Sequence, residues 1–295
     1  MNAYGGPMPE IAEVETVRRH LDKALRGKKI KEVIYEEKDR HLFAFVSAKA
    51  VKKALEGARI TGTGRKGKYF WLELDRKPWP LFHLGMSGNV SLLTDPSDAK
   101  HRNIWGGKRL WSLEDESEHS MIWFCRLLLR LERKIEMAFS DPRRFGRMWL
   151  TENPWQHPRI AKLGFDPLLD FPTGKDLYAR LHKRKKSIKA VMLDQGLFAG
   201  IGNWLGDEIL FQARISPHRL ASELSPAEVA TLRKVTLAVV KKAVAVDADY
   251  ERFPKTWLCH ERWGKSKTAK THKGHKIKHE EIAGRTTAWV PDWQS

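Results

Sequence analysis

The sequence predicts an α+β protein of two domains, and three observations predict it. One amphipathic stripe lies near the start. Short, aromatic-rich apolar runs punctuated by glycine and proline follow it to about Leu150. Beyond a proline-rich stretch the apolar periodicity turns helical.

Taken in order, residues 1–8 read as a disordered extension. From Pro9 to Arg26 the apolar residues Ile11, Val14, Val17, Leu21 and Leu25 recur at helical spacing, with Pro9 opening the helix and Gly27 stopping it. Tyr69 to Leu74 is a strand bounded by Gly67 and by Pro78 and Pro80, and Leu81 to Leu84 is a second one that runs into a turn at Gly85-Met86-Ser87-Gly88. Between Ile122 and Phe139 two apolar runs break at Glu132-Arg133-Lys134, which predicts a hairpin. Asp141-Pro142-Arg143-Arg144-Phe145-Gly146 is then a loop. The composition changes at Asn153-Pro154, with further prolines at 158, 167 and 172, and the domain boundary is expected there.

In the second half, Asn203 is expected to cap a helix carrying Leu205, Ile209 and Leu210. Ser225-Pro226-Ala227-Glu228 combines a capping serine, a first-turn proline and a glutamate three residues on. It predicts a helix along Val229, Leu232, Val235, Val239, Ala243 and Val246. In the basic end, Glu251 to Ser295, the segments Trp257-Leu258, Lys276-Ile277 and Thr287 to Val290 are expected to make two short strands and a turn. The expected divisions are therefore an extension over 1–8, a β-rich domain over 9–152, a helical domain over 153–250 and a terminal hairpin unit over 251–295.

The charge balance narrows the partner. Lys and Arg total 54 against 36 Asp and Glu, a formal net charge of +18, and the sequence pI is about 9.9. A field of that sign concentrates polyanions, with nucleic acid the foremost class and an acidic membrane surface or acidic protein the alternatives. No apolar run is long enough to span a bilayer and no secretory signal is visible, so a soluble intracellular protein is expected. Two cysteines, Cys125 and Cys259, exclude a disulfide framework and a Cys-x-x-Cys zinc site.

Chemistry concentrates in short motifs. Met8-Pro9-Glu10-Ile11-Ala12-Glu13-Val14-Glu15 places three carboxylates at a helix start, which dipole complementation alone can explain. That segment does not stand alone. With Gly64-Arg65-Lys66-Gly67-Lys68-Tyr69, His83-Leu84-Gly85-Met86-Ser87-Gly88, Asp141 to Gly146 and Gly200-Ile201-Gly202-Asn203-Trp204, in this order, it resembles the Fpg/Nei family of DNA glycosylases. The closing Gly284-Arg285-Thr286-Thr287-Ala288-Trp289-Val290-Pro291 resembles the plant and fungal branch. The resemblance covers nearly the whole chain from Met8. Ala12 departs from it, since the family usually has proline there.

The resemblance implies a β-sandwich N-terminal domain with a leading helix, then a helix–two-turn–helix domain and a zincless β-hairpin finger. It implies a bifunctional glycosylase and abasic-site lyase acting on double-stranded DNA that contains oxidised bases or abasic sites. Pro9 would be the nucleophile, Glu10 the acid/base group, and Lys68 and Arg285 phosphate-binding catalytic residues. His101, Arg143, Lys185 and Asn203 would contact DNA, while Met86, Arg143 and Phe145 would fill the space left by an extruded nucleotide. Pro9 can attack only as a free amine, because an amide nitrogen is not nucleophilic. A chain starting at Met8, with Met8 then removed, is therefore expected. The alternative is a relative that binds lesions or abasic sites without catalysis.

No metal or other cofactor is expected, and packing of Trp257, Ile277 and Trp289 is expected to hold the finger. The short stretch Asp247 to Lys255 implies weak action on 8-oxoguanine and better action on formamidopyrimidines, hydantoins and oxidised pyrimidines. A nuclear monomer without membrane contact completes the expectation.

Overall fold

The computed structural model describes residues 8–36, 39–93, the backbone of 102–103, 124–263, 266 and 268–295. The expected extension before Met8, His101 and the segment 104–120 lie outside these. The chain divides into two compact units: Pro9 with Glu13–Ala161, and Glu10–Ala12 with Lys162–Ser295.

The first unit is two antiparallel sheets and a helix. Helix α1 (Ile11–Leu25) passes through both units and buries the whole stripe Ile11, Val14, Val17, Leu21 and Leu25. It begins at Ile11 and not at Pro9, because Ile11 N donates to Gly200 O and Glu10 stays extended. Gly27 ends it in the left-handed region (φ +79°), where a side chain would be strained.

Strand β1 (Ile30–Tyr35) and helix α2 (Ala48–Leu55) come next. Sequence periodicity missed α2, although Ser47 caps it by accepting from Ala50 N. Then follow β2 (Ile60–Lys66), β3 (Tyr69–Leu74), β4 (Trp79–His83), β5 (Asn89–Leu93), β6 (Arg102–Asn103), β7 (Cys125–Leu131), β8 (Glu136–Ser140) and β9 (Arg147–Thr151). One sheet has the order β1-β7-β8-β5-β6 and the other β2-β3-β4-β9. Phe82 of β4 stacks on Phe70 of β3 (5.0 Å) and on Phe139 of β8 (6.0 Å), so the apolar faces of the two sheets meet as a sandwich. Pairing of β4 with β3 stops at Leu81, where Pro80 has no N–H to offer. The expected hairpin is β7–β8, turned by one 3-10 turn over Glu132–Lys134. The short helix α3 (Pro158–Ala161) closes the unit.

The second unit holds α4 (Gly174–Leu181), α5 (Ile188–Leu193), α6 (Asn203–Ala213) and α7 (Pro226–Ala245). Helix α7 starts with the capping box of Ser225 and Glu228. Helix α6 is buried nearly all round, so it is the central helix of this unit. Asn203 is its first helical residue and not its cap. Gly202 is the N-cap and offers no side chain, while Asn203 Nδ2 donates to Thr286 O at 2.8 Å.

The terminal hairpin is β10 (Lys278–Ile282) and β11 (Arg285–Trp289), turned at Ala283 and Gly284 with positive φ at both. Of the three segments expected to make two strands and a turn, only Thr287 to Val290 falls in a strand, as far as Trp289. Trp257 precedes a 3-10 turn over Leu258–His260, and Lys276-Ile277 precedes β10. The small core beside the hairpin is Leu258, Ile277, Ala288 and Val290, with Phe211 and Trp293 packed on it. Of the expected aromatic supports, Trp257 packs on Phe253 instead. Trp289 gives its indole N–H to Glu280.

Candidate active site

In the second unit the site is built around a buried carboxylate. Glu10 is 1% exposed. It accepts hydrogen bonds from Gly202 N (2.6 Å), Trp204 N (2.9 Å) and Leu205 N (3.3 Å), the free amides at the start of α6. Those donors and the positive end of the helix dipole favour the charged carboxylate and fix it in place.

The loop ahead of α6 has to be glycine. Gly200 adopts φ +94°, and a Cβ there would lie 2.7 Å from Cβ of Ile11. Gln195 braces the loop, accepting from Gly200 N (2.9 Å) and donating to Ile201 O (2.7 Å). The motif contained no sign of Gln195, which acts from outside it.

Arg285 heads β11 and is exposed, next to the Thr286 carbonyl that holds Asn203. Asn203 Oδ1 is buried without a hydrogen-bond partner. Glu10, Asn203 and Arg285 are thus linked through α6 and β11. Lys185 is exposed between α4 and α5, apart from α6 and β11.

In the first unit Pro9 is buried, and its nitrogen is an amide in any chain that retains Met8. Lys68 lies in the β2–β3 turn at Gly67 (φ +57°). Arg65 supports that turn from below. Its side chain, 1% exposed, donates to Glu15 at 2.9 Å and to Gly67 O at 3.1 Å. Burial pushes the Glu15 carboxyl up, but Arg18 and Arg65 outweigh it and hold the group below its ordinary value.

His83 of β4 was not singled out as a site residue, although it opens the His-Leu-Gly-Met motif. Its Nδ1 accepts from Gly85 N (3.0 Å) and its ring lies against Tyr69. Burial first, then the charges of Lys68, Arg147 and Arg159, push it down to about 4. It is therefore a neutral imidazole with one N–H left to give.

Met86, Arg143 and Phe145 do come together. Arg143 Nη2 lies 4.0 Å from Met86 Sδ, and its guanidinium sits 5.1 Å from the Phe145 ring centre. Phe145 is 44% exposed, which core packing does not explain. Asp141 ties the two loops together. It accepts from Ser87 Oγ at 2.6 Å, Arg143 N at 3.2 Å and Gly146 N at 2.6 Å. A Cβ on Gly85 (φ +67°) would fall 2.5 Å from the Phe145 carbonyl carbon, so that approach requires glycine.

Metal-binding side chains do not gather. Cys259 is buried, with its N–H given to Glu208; His260 bonds Pro254 O, and His279 bonds Arg262 O. Among the described residues no group of three or more His, Cys, Asp or Glu is placed to hold an ion.

The model of the formamidopyrimidine-DNA glycosylase N-terminal domain matches residues 8–148, and that of the formamidopyrimidine-DNA glycosylase H2TH domain matches residues 163–254. The chain belongs to this family. Among family members, the formamidopyrimidine-DNA glycosylase of Arabidopsis thaliana is 38% identical over 97% of this chain and 71% of its own length. That of Paracoccus denitrificans is 34% identical over 81% of this chain and 79% of its own. Lactococcus lactis Fpg in complex with abasic-site DNA matches with a TM-score of 0.75 at 26% identity, covering 97% of this chain and 99% of that one. A Lactococcus lactis Fpg mutant in complex with Fapy-dG DNA matches over the same shares, with a TM-score of 0.75 at 27% identity.

Proposed function

We propose that this protein is a bifunctional DNA glycosylase of base excision repair. It removes oxidised bases, formamidopyrimidines foremost, and cuts the strand at the resulting abasic site. The observation that carries the reading is the seat of Glu10, directly after Pro9: a buried carboxylate held by the amides of Gly202, Trp204 and Leu205 at the start of α6. Family membership and relatives solved with abasic-site and Fapy-dG DNA support the substrate class.

The chemistry follows from the groups. The neutral Pro9 amine attacks the sugar carbon C1′, and the bond from C1′ to the base breaks with its electron pair leaving on the base. Glu10 takes the proton that the attacking nitrogen sheds and passes it to the ring oxygen as C1′–O4′ opens, leaving an iminium. Loss of a C2′ proton then expels the 3′ phosphate, and loss of the C4′ proton expels the 5′ phosphate. Hydrolysis of the remaining iminium frees Pro9. Lys68 and Arg285 bind the phosphates around the lesion, with His83 supplying a neutral N–H beside Lys68. Lys185, Asn203 and His101 contact the backbone. Met86, Arg143 and Phe145 occupy the vacated stack.

The finger over 251–295 is zincless in this reading, supported by its small apolar core and by its having a single cysteine, Cys259, which is buried. The compact turn over Tyr250–Arg252 favours formamidopyrimidines, hydantoins and oxidised pyrimidines over 8-oxoguanine. The nucleus is the expected site of action.

Borohydride trapping tests the mechanism. Protein beginning at Pro9 is expected to cross-link covalently to an abasic-site duplex, and protein retaining Met8 is not. Equal trapping by both would remove Pro9 from the mechanism, and trapping by neither would favour a non-catalytic binder.

A further inference from the structure

Two adjacent carboxylates on α6 are buried and accept donors from the terminal hairpin region. Asp207 is 1% exposed. Its Oδ2 accepts from Arg262 at 2.7 Å and from Ala288 N at 3.1 Å, and its Oδ1 accepts from Lys189 Nζ at 2.5 Å. Lys189, itself fully buried, also donates to Asn203 O at 2.9 Å. The next residue, Glu208, accepts from Cys259 N at 2.9 Å.

These contacts fix β11 to α6. Ala288 N is held by Asp207 and Thr286 O by Asn203, so the strand is pinned at two alternate residues that follow Arg285. A strand held at alternate positions can neither slip register nor turn over. The opposite side of the same arrangement is the α6 N-terminus that seats Glu10. Lys189 joins the two, because its ammonium bridges the Asn203 carbonyl and Asp207.

We propose that Asp207 is a positioning residue for the reaction. It holds β11 so that Arg285 stands at a set place relative to the Glu10 seat, and it touches neither the DNA nor the reacting atoms. This inference rests on the glycosylase reading. A carboxylate with fixed donors on both oxygens suits the role, because moving β11 would break charge-assisted bonds in a site closed to water.

The test is a double-mutant cycle in protein beginning at Pro9, with Asp207→Asn, Arg285→Ala and both together. Affinity for an abasic-site duplex and the single-turnover rate at saturating DNA are measured for each. Asp207→Asn is expected to weaken binding about tenfold while the saturating rate stays within about twofold, and to add nothing in the Arg285→Ala background. The melting temperature is expected to fall in Asp207→Asn, because Lys189 and Arg262 lose their buried counter-charge, and hydrogen exchange of the Ala288 amide is expected to speed up more than that of the α7 amides. Independent, additive losses in the cycle, or a drop in the saturating rate without loss of affinity, would overturn the proposal. If Asp207→Asn does not fold, Arg262→Gln loosens the same carboxylate without removing it, and the same cycle decides. A wild-type protein inactive on abasic DNA would sink the glycosylase reading itself. An active wild type with additive losses sinks only this inference.

Discussion

Glu10 shows what a motif reveals and what it conceals. Its place beside Pro9 was legible from the order of residues, but the seat that holds it is made by amides at 202, 204 and 205, which no local pattern connects to position 10. Glu10→Gln keeps the shape and removes the proton carrier. The single-turnover rate on an abasic duplex is expected to fall by about 100-fold or more, with the dissociation constant nearly unchanged; an equal fall in affinity would make Glu10 a binding group. His83 and Asp141 were harder to read, because their roles come from partners far along the chain or from burial. With His83 pushed down to about 4, the folded protein favours the neutral ring. Stability from that preference is complete above the ordinary histidine range and is lost as pH falls through about 4. The ring resonances of His83 are therefore expected to stay constant from pH 8 to pH 5 by NMR, and a midpoint near 6.5 would contradict the burial argument.

At the scale of elements, strong local signals survived. The α1 stripe, the break at Glu132-Arg133-Lys134 and the capping box of α7 each carry enough information within one turn or hairpin to specify themselves. Helix α2 was missed because only Val51 and Leu55 are buried in it, too few for a visible stripe. In the finger, Thr287 to Trp289 do lie in a strand, which α6 holds through Asn203 and Asp207, whereas Trp257-Leu258 and Lys276-Ile277 were misplaced because short apolar pairs carry too little periodicity to specify a strand. The same helix makes a prediction about pH. Burial raises the Glu208 carboxyl to about 7, with hydrogen bonds from Gln212 and Cys259 opposing the shift. The folded state therefore binds this proton more tightly than the unfolded chain does. The stability gained is present at acid pH and lost as pH rises through about 7. Glu208→Gln has no such proton to lose. Its stability relative to wild type is expected to improve by up to about 3 kcal/mol between pH 5 and pH 8, measured by denaturant unfolding, and a difference independent of pH would refute this.

For the whole molecule, the net charge of +18 was a sound guide to a polyanionic partner because composition survives folding unchanged. It said nothing about which cations reach the DNA. Taking Lys68, Lys185 and Arg285 as the phosphate set, the slope of log affinity against log salt is expected near −3. Lys185→Gln is expected to reduce that slope by about one unit and to weaken damaged and undamaged duplexes alike. A loss confined to damaged DNA would move Lys185 from the backbone to the lesion. The loops tied by Asp141 bear on how such a protein surveys a genome. On the proposed wedge role of Met86, Arg143 and Phe145, the loops that carry them are tied together before any DNA arrives, since Ser87, Arg143 and Gly146 are all bonded to that one carboxylate. The backbone of these loops then needs no new ordering at each step along the duplex. Interrogation time at an intact pair is then governed by how readily that pair opens, and weakened pairs announce themselves by yielding first.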